Sequence, residues 1–240
     1  MAGHSKWSNI KHRKAQSDAQ KAKVFSKMVK EIMTAARAGG GDPESNFRLR
    51  LAINKAKAVN MPADNINRAI KRGLGEVGSA QYENILYEGY GPGGVACLVE
   101  TLTDNRNRTG SEIRHIFSRN GGNLGETGCV SWMFALKGLL VIPKTDGVDE
   151  EKLLELAMEA GAENVYPEKD CYEMITAPED LESVRNYCNG RVSVESAEIV
   201  YLPKNTMAVS EENKDVVLKL IEELDEHDDV QNVYTNIDLE

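Results

Sequence analysis

Apolar side chains in the N-terminal third of the chain recur at helical intervals. Those between residues 15 and 38 are Val24, Phe25, Met28, Val29, Ile32, Met33 and Ala36. This spacing predicts one long amphipathic helix, which the glycines at 39–41 end. A second helix is predicted to restart at Asp42-Pro43 and run to about Asn60, and a third, short helix ends at Gly73. The pattern therefore indicates a small helical domain.

Beyond residue 78 the pattern changes to short runs rich in β-branched and aromatic side chains. Residues 85–87 and 95–99 predict two strands on either side of a glycine-rich turn, and a helix with Ile113 and Phe117 follows. Residues 130–134 predict another strand. This block of the chain therefore has the order β-β-α-β.

The next block alternates strands and helices in an order that is known from a common fold. Its segments are strand 139–142, helix 153–158, strands 164–166 and 172–176, helix 180–188 and strand 197–201. That is the ferredoxin-like order β-α-β-β-α-β. A helix with apolar positions from Val216 to Leu224 and a strand near 230–234 close the chain and can complete the earlier block.

Together these elements predict an α+β fold class with three domains. We expect a small helical domain that includes an N-terminal arm, and two ferredoxin-like α+β domains, the third inserted into the second. The expected boundaries are residues 1–78 for the helical domain, 79–137 plus 206–240 for the discontinuous domain, and 138–205 for the inserted domain.

The two parts of the chain differ sharply in charge. The net charge of −9 combines 16 Lys and Arg against 5 Asp and Glu in residues 1–72 with 13 against 33 in the remainder. A surplus of eleven positive charges repels itself unless a polyanion neutralises it, and nucleic acid is the obvious polyanion. The alternative is that the basic domain docks on its own acidic body.

The candidate nucleic-acid-binding residues are lysines and arginines of the basic domain, together with one tryptophan and one histidine of that domain and two later arginines. They are Lys6, Trp7, Lys11, His12, Arg13, Lys14, Lys21, Lys23, Arg68, Lys71, Arg72, Arg106 and Arg108. Residues 3–14 lack apolar periodicity and are expected to form an arm. Since few aromatic side chains are available for base stacking, phosphate contact should dominate and make binding depend on salt.

The stretch 104–109 allows two interpretations. It places two arginines at a predicted strand-to-helix junction, where guanidinium groups and free helix N–H groups can both bind phosphate. The alternative is an ordinary helix cap formed by Asn107 or Thr109. The residues themselves do not decide between the two.

Several classes of protein are not indicated by the sequence. No run of about 18 apolar residues predicts a membrane helix, and the polar N-terminus is unlike a secretory signal, so we expect a cytoplasmic protein. The four cysteines lack paired spacing and are expected to be reduced thiols, mostly buried. The four histidines lie far apart and near no cysteine, so no metal site is expected. A monomer is favoured.

No enzyme signature is present, and we expect no catalytic residues, no cofactor and no small-molecule substrate. Gly89, Gly91 and Gly94 match the dinucleotide motif G-x-G-x-x-G, but the chain continues into a predicted strand instead of a helix. Pro92 also removes one backbone N–H from such a phosphate cradle. A glycine-rich turn is therefore the favoured interpretation.

Motifs along the whole chain resemble the YebC/PmpR family. They are the residues 2–14 (AGHSKWSNIKHRK), 39–43 (GGGDP), 68–73 (RAIKRG), 87–94 (YEGYGPGG), 102–109 (LTDNRNRT) and 121–125 (GGNLG). Cys129 stands where the family pattern has serine, and the C-terminal half matches less distinctively. The resemblance implies a three-domain architecture and a DNA-binding transcriptional regulator. Because some family members are viewed as translational activators or ribosome-acting factors, an RNA- or ribosome-binding translation factor is the alternative, and an enzyme with an unrecognised site is the third hypothesis.

Overall fold

The computed structural model describes residues 18–75, 82–144 and 149–238. The first of these ranges is helical, with α1 at Asp18–Gly39, α2 at Phe47–Ala58 and α3 at Ala63–Gly73. The side chains that face inward from the three helices form one apolar core, which includes Ile32, Ala36, Leu49, Ala52, Ile66 and Ala69. The predicted three-helix domain is thus present in the structure.

The second helix begins later than the sequence pattern indicated. Residues 42–45 form a turn in which the Asp42 carboxylate accepts the Glu44 N–H at 3.0 Å. The helix starts at Phe47, because Asn46 caps it by accepting the Leu49 N–H at 3.0 Å. The Asn46 amide also donates to the carbonyl oxygens of Ala35 and Gly40, so this buried side chain ties α2 to the end of α1.

The first sheet contains strands from both ends of the remaining chain. Its strands are β1 at Glu83–Tyr90, β2 at Ala96–Thr103, β3 at Asn123–Leu124 and β8 at Val230–Thr235, in the order β3-β1-β2-β8 and antiparallel throughout. Two helices, α4 at Arg106–Arg119 and α7 at Glu211–Asp225, cover one face. The final strand therefore returns to pair with β2.

The second sheet is formed by the intervening segment. Its strands are β4 at Phe134–Pro143, β5 at Asn164–Pro167, β6 at Cys171–Thr176 and β7 at Ser196–Pro203, in the order β5-β6-β4-β7. The helices α5 at Glu150–Ala160 and α6 at Leu181–Cys188 pack on its outer face. This β-α-β-β-α-β order is ferredoxin-like, and the predicted α+β class is confirmed.

The two sheets face each other through a shared apolar layer. Leu98 and Tyr234 of the first sheet pack in one core with Leu139, Ile175 and Val200 of the second. Because neighbouring residues of a strand point to opposite faces, Cys97 and Val99 instead pack beneath α4 and α7. The result is a four-layer arrangement of helices, sheet, sheet and helices.

The prediction of a separate strand at 130–134 is wrong. Ser131–Met133 forms a short 3-10 turn, and one long strand, β4, begins at Phe134 and includes the predicted 139–142 segment. The physical reason is the buried Glu88 carboxylate, which accepts the N–H groups of Gly128, Val130 and Ser131 at 2.7–2.8 Å. These N–H groups are therefore not available for pairing in a sheet.

The glycine-rich segment is a turn between two strands. Pro92–Gly94 forms a single 3-10 turn, and Gly93 and Gly94 have φ values of 71° and 83°, which glycine adopts without strain. The chain then enters β2, so no helix N-terminus follows the motif. Among the described helices none is both long enough and apolar enough to span a membrane.

Candidate nucleic-acid interface

Seven of the thirteen candidate residues cannot be placed in full. Lys6, Trp7, Lys11, His12, Arg13 and Lys14 lie outside the described residues, and so does the side chain of Lys21 near the start of α1. The structure does place Lys23, Arg68, Lys71, Arg72, Arg106 and Arg108. The cations of the helical domain separate into those that contact the acidic body and those that do not.

One face of α1 is bound to the turn between α7 and β8. The Lys30 ammonium lies 2.7 Å from the Asp229 carboxylate and 3.0 Å from the Asp228 carbonyl oxygen. The Lys27 ammonium lies 3.7 Å from the Asp225 carboxylate. Lys23, a candidate contact residue, donates to the Glu226 carbonyl oxygen at 3.3 Å. Residues spaced by three and four share one helix face, so α1 docks through a row of lysines.

The second helix docks on the second sheet and its helices. The Lys55 ammonium lies 3.0 Å from the Glu198 carboxylate of β7 and 3.4 Å from Glu31 of α1. Burial alone would lower the pKa of Lys55, but Glu31 and Glu198 hold that pKa above its ordinary value. Arg50 forms an ion pair with Glu182 of α6, and Leu51 packs in the core beneath α5 and α6.

The alternative explanation of the surplus positive charge was that the basic domain docks on its own acidic body. These contacts show that it is correct in part. Lys27, Lys30, Arg50 and Lys55 each pair with a carboxylate of the two sheets or their helices. Sequence analysis did not identify these four as docking residues. In the sequence each of the four has other cations near it, and nothing in the spacing sets it apart from them. Their acidic partners are more than 100 residues away along the chain.

Asp229 is the carboxylate on which the helical domain and the first sheet converge. It is buried, and its two oxygens accept hydrogen bonds from Lys30 at 2.7 Å, Arg108 at 2.6 Å and Thr109 at 2.7 Å. Burial alone would raise the pKa of Asp229, but these donors hold that pKa well below its usual range. Asp229 is therefore ionised and joins α1 to α4 at neutral pH.

The helix α4 begins with a cap that differs from both residues considered in the sequence. Asn105 accepts the Arg108 N–H at 3.1 Å, so the cap is neither Asn107 nor Thr109. The Thr109 hydroxyl is buried and bonds to Thr103 and Asp229. Both arginines are exposed, but Arg108 is held by Asp229 and lies 3.2 Å from Asp104, whereas Arg106 pairs with no carboxylate of the described ranges. Of the two arginines that were expected to bind phosphate, Arg108 therefore makes a structural contact and Arg106 remains available at the surface.

The only grouping of potential metal ligands among the described residues lies beside Asp229. Glu112, His227 and Asp229 bring their ligand atoms within 4.8 Å of one another. His227 Nδ1 accepts the Asp229 N–H at 3.1 Å, so Nε2 carries the ring proton and donates to Glu112 at 2.8 Å. With Lys30 and Arg108 already on the Asp229 carboxylate, the group forms an ion-pair network in which every ligand atom is in use.

The cations of α3 take no part in the docking contacts that the structure describes. Arg68, Lys71 and Arg72 are exposed in its second half, where the positive charges complement the helix dipole. Arg68 bonds to the Asn65 side chain at 2.7 Å, and none of the three has a carboxylate partner among the residues that the structure describes. Arg48 and Lys57 of α2 are exposed as well and likewise lack such a partner within the described ranges.

The fold and this charge distribution define a class of protein: a basic three-helix domain docked on an acidic body of two packed α+β sheets. Comparisons with known proteins agree with that class. Residues 5–76 match the model of the TACO1/YebC protein N-terminal domain, and residues 82–237 match that of the TACO1/YebC second and third domain. The chain belongs to the TACO1/YebC family.

Similar proteins match along the whole chain. A relative from Natranaerobius thermophilus is 55% identical over 100% of this chain and 97% of its own length. One from Pelotomaculum thermopropionicum is 54% identical over 100% of both chains, and each is named a probable transcriptional regulatory protein. The crystal structure of a conserved hypothetical protein from Aquifex aeolicus has a TM-score of 0.85 at 49% identity, covering 94% of this chain and 93% of that one.

Proposed function

We propose that this chain is a non-enzymatic regulator of gene expression that acts by binding nucleic acid, with duplex DNA as its target. The names of its full-length relatives, which are called probable transcriptional regulatory proteins, support a regulatory role. The two family models match residues 5–76 and 82–237, so the family assignment covers the helical domain and both sheets. The cytoplasm is the compartment expected from the sequence.

The observation that carries the proposal is the separation of cations within the helical domain. The docking contacts of α1 and α2 use Lys27, Lys30, Arg50 and Lys55. The exposed cations of α3 remain, and the sequence adds four more positive charges within residues 6–14. Self-docking therefore accounts for only part of the surplus, and a polyanion is the partner that complements the rest.

The placement of charge on α3 favours contact with the sugar–phosphate backbone over readout of bases. In a helix-turn-helix, the N-terminal residues of the second helix reach the base edges. The first turn of α3 instead carries Asp64, which repels DNA, while Arg68, Lys71 and Arg72 lie toward its C-terminal end. Because phosphate contacts release counterions, affinity should fall steeply with salt and depend little on sequence.

A translation factor that binds RNA or the ribosome is the second candidate. The net charge of residues 1–72 is +11 and that of the remainder is −20, which suits a basic head that enters a structured RNA while the body stays outside. Sedimentation of the endogenous protein through a sucrose gradient separates the two candidates. Migration with ribosomes favours this second function, and migration free of ribosomes favours the first.

Substitution of the α3 cations tests the proposed surface. We expect the triple variant Arg68→Gln, Lys71→Gln, Arg72→Gln to bind a labelled duplex DNA about tenfold or more weakly at physiological salt. The slope of log affinity against log salt should become less steep by about 2.7, since each lost phosphate contact removes about 0.9. Fluorescence anisotropy at several salt concentrations measures both quantities.

The matched control removes exposed lysines from the second sheet region. The variant Lys152→Gln, Lys169→Gln changes two charges that are exposed and distant in sequence from α3. It should bind DNA like the wild type. Equal affinity and slope for the wild type and the triple variant, with native melting curves, would rule out α3 as the binding surface.

A further inference from the structure

The helix α4 is basic within a body that is otherwise strongly acidic. Residues 73–240 contain 13 Lys and Arg against 33 Asp and Glu, yet the 14 residues of α4 hold four arginines and a single glutamate. Solubility does not require positive charges to be concentrated on one surface helix of an acidic body. The positions of the four arginines separate them into two pairs.

One pair holds α4 against its neighbours. The Arg108 guanidinium lies 2.6 Å from Asp229, and the Arg119 guanidinium lies 2.7 Å from Glu223 of α7. Both arginines therefore point to the flank of α4 that faces α7 and the turn after it. Their charges are neutralised within the protein and serve its packing.

The other pair lies on the opposite flank. Arg106 and Arg114 are exposed, and neither has an ion-pair partner among the residues that the structure describes. They are eight positions apart, which places them on one side of the helix about 12 Å from each other along its axis. Two guanidinium groups that pair with no carboxylate of the described ranges therefore lie on one side of α4.

Tyr87 joins the two arginines into one surface. Its hydroxyl donates to the Arg106 carbonyl oxygen at 3.2 Å, and a Cβ atom at Gly110 would lie 3.3 Å from that hydroxyl oxygen. Glycine at this position therefore lets the tyrosine lie close to the helix between the arginines. Burial raises the pKa of Tyr87, while the charges of Arg106 and Arg114 act to lower it.

The opposite flank of α4, which carries Arg108, is the one linked to the docked helical domain. Arg106 is two residues from Arg108, and Arg108 shares the Asp229 carboxylate with Lys30 of α1. The start of α4 is therefore held beside α1. Two carboxylates, Glu83 and Asp229, also act on the Tyr87 hydroxyl, and Asp229 is already bound by Lys30 and Arg108.

We propose that the flank of α4 formed by Arg106, Arg114 and Tyr87 is a second nucleic-acid contact, which binds phosphates of duplex DNA. This inference rests on the proposed function and extends its surface onto the acidic body. Arginine suits the role because its planar guanidinium donates two parallel hydrogen bonds to a phosphate. A spacing of about 12 Å along the helix covers more than one phosphate of a strand, since these recur every 3.4 Å along a duplex.

The test is a double substitution in the full-length chain, Arg106→Gln with Arg114→Gln. With a labelled duplex DNA as the probe, we expect affinity at physiological salt to fall about fivefold to fiftyfold. The slope of log affinity against log salt should become less steep by about 1.8, because two phosphate contacts are lost. Glutamine keeps the helix, so the melting temperature should stay at the wild-type value.

The control variant Lys152→Gln, Lys169→Gln removes the same charge from exposed positions elsewhere on the body and should leave the slope unchanged. If the double arginine variant binds with the wild-type affinity and slope, or loses no more affinity than the control variant does, the second contact does not exist. If the wild type itself fails to bind DNA at low salt, the proposed function fails and not merely this surface. The two failures are therefore distinguishable.

Discussion

Glu173 is a single carboxyl group whose surroundings make the stability of the protein depend on pH. It lies on β6, opposite Val141 of β4 and Tyr166 of β5, and is 4% exposed. Burial, with a smaller contribution from Glu168, raises the pKa of Glu173 to about 7. The folded protein therefore holds a proton on this group that the unfolded chain releases near pH 4.3.

The sign of the pH effect follows from this difference. Between about pH 4.3 and 7 the folded state binds the extra proton, so the free energy of unfolding should decrease as pH rises and then level off. Glu173→Gln removes the titrating group, and we expect it to raise stability at pH 8 by about 2 to 3 kcal/mol with little change at pH 4. Urea denaturation of both proteins across this pH range measures the difference.

The exposed variant Glu179→Gln serves as the control and should follow the wild type at every pH. A Glu173→Gln protein that keeps the wild-type pH dependence would show that the carboxyl group titrates normally in the folded state. The sequence gives no indication of this effect. Glu173 stands in an alternating strand like many surface glutamates, and only the packing of the second sheet against its neighbours buries it.

At the scale of elements, Asp229 joins α1, α4 and the start of β8. Substitution Asp229→Asn removes the carboxylate that the Lys30 ammonium contacts and the nearest of the carboxylates around the Arg108 guanidinium. We expect a loss of about 2 to 3 kcal/mol in the free energy of unfolding at pH 7, below the cost for a wholly buried pair because Arg108 is partly exposed. Chemical denaturation measures this loss.

The control for Asp229→Asn is Asp104→Asn, which removes another carboxylate partner of the same arginine. Because Asp104 is exposed, this change should cost less than about 0.5 kcal/mol. The low pKa of Asp229 means that its contribution is fully present above about pH 4 and is lost as pH falls further. Equal stabilities of the two variants at pH 7 would contradict the role of Asp229.

Most helices and strands were predictable from apolar spacing, and the errors have local physical causes. Helix α2 begins later than the sequence pattern predicted because Asn46, and not Asp42, supplies its N-terminal cap. The strand expected at 130–134 is absent because Glu88 binds the N–H groups it would need. Both causes depend on one side chain that captures backbone donors, which periodicity does not detect.

At the scale of the whole molecule, the sequence predicted the separation of charge but not how the protein uses it. A count of charges indicated a basic head and an acidic body. It did not show that Lys27, Lys30 and Lys55 are bound by that body, nor that Arg106 and Arg108 have different surroundings. Those distinctions depend on contacts between segments about 100 to 200 residues apart, which only the three-dimensional fold brings together.

The arrangement of the described residues concentrates positive surface on α3 and on one flank of α4. The docking of α1 and α2 neutralises Lys27, Lys30, Arg50 and Lys55 and fixes the helical domain on the body. A polyanion that contacts both surfaces would gain from this rigid placement, since neither part has to be ordered on binding. Phosphate contact, and not base readout, should therefore supply most of the affinity.

The salt dependence of the wild-type protein's affinity for duplex DNA tests this central claim most directly. Fluorescence anisotropy with a labelled duplex should give log affinity that falls linearly with log salt, with a slope of about −3 or steeper. Such a slope corresponds to at least the three α3 cations in contact with phosphates. An affinity that does not change with salt, or no binding at low salt, would contradict the account.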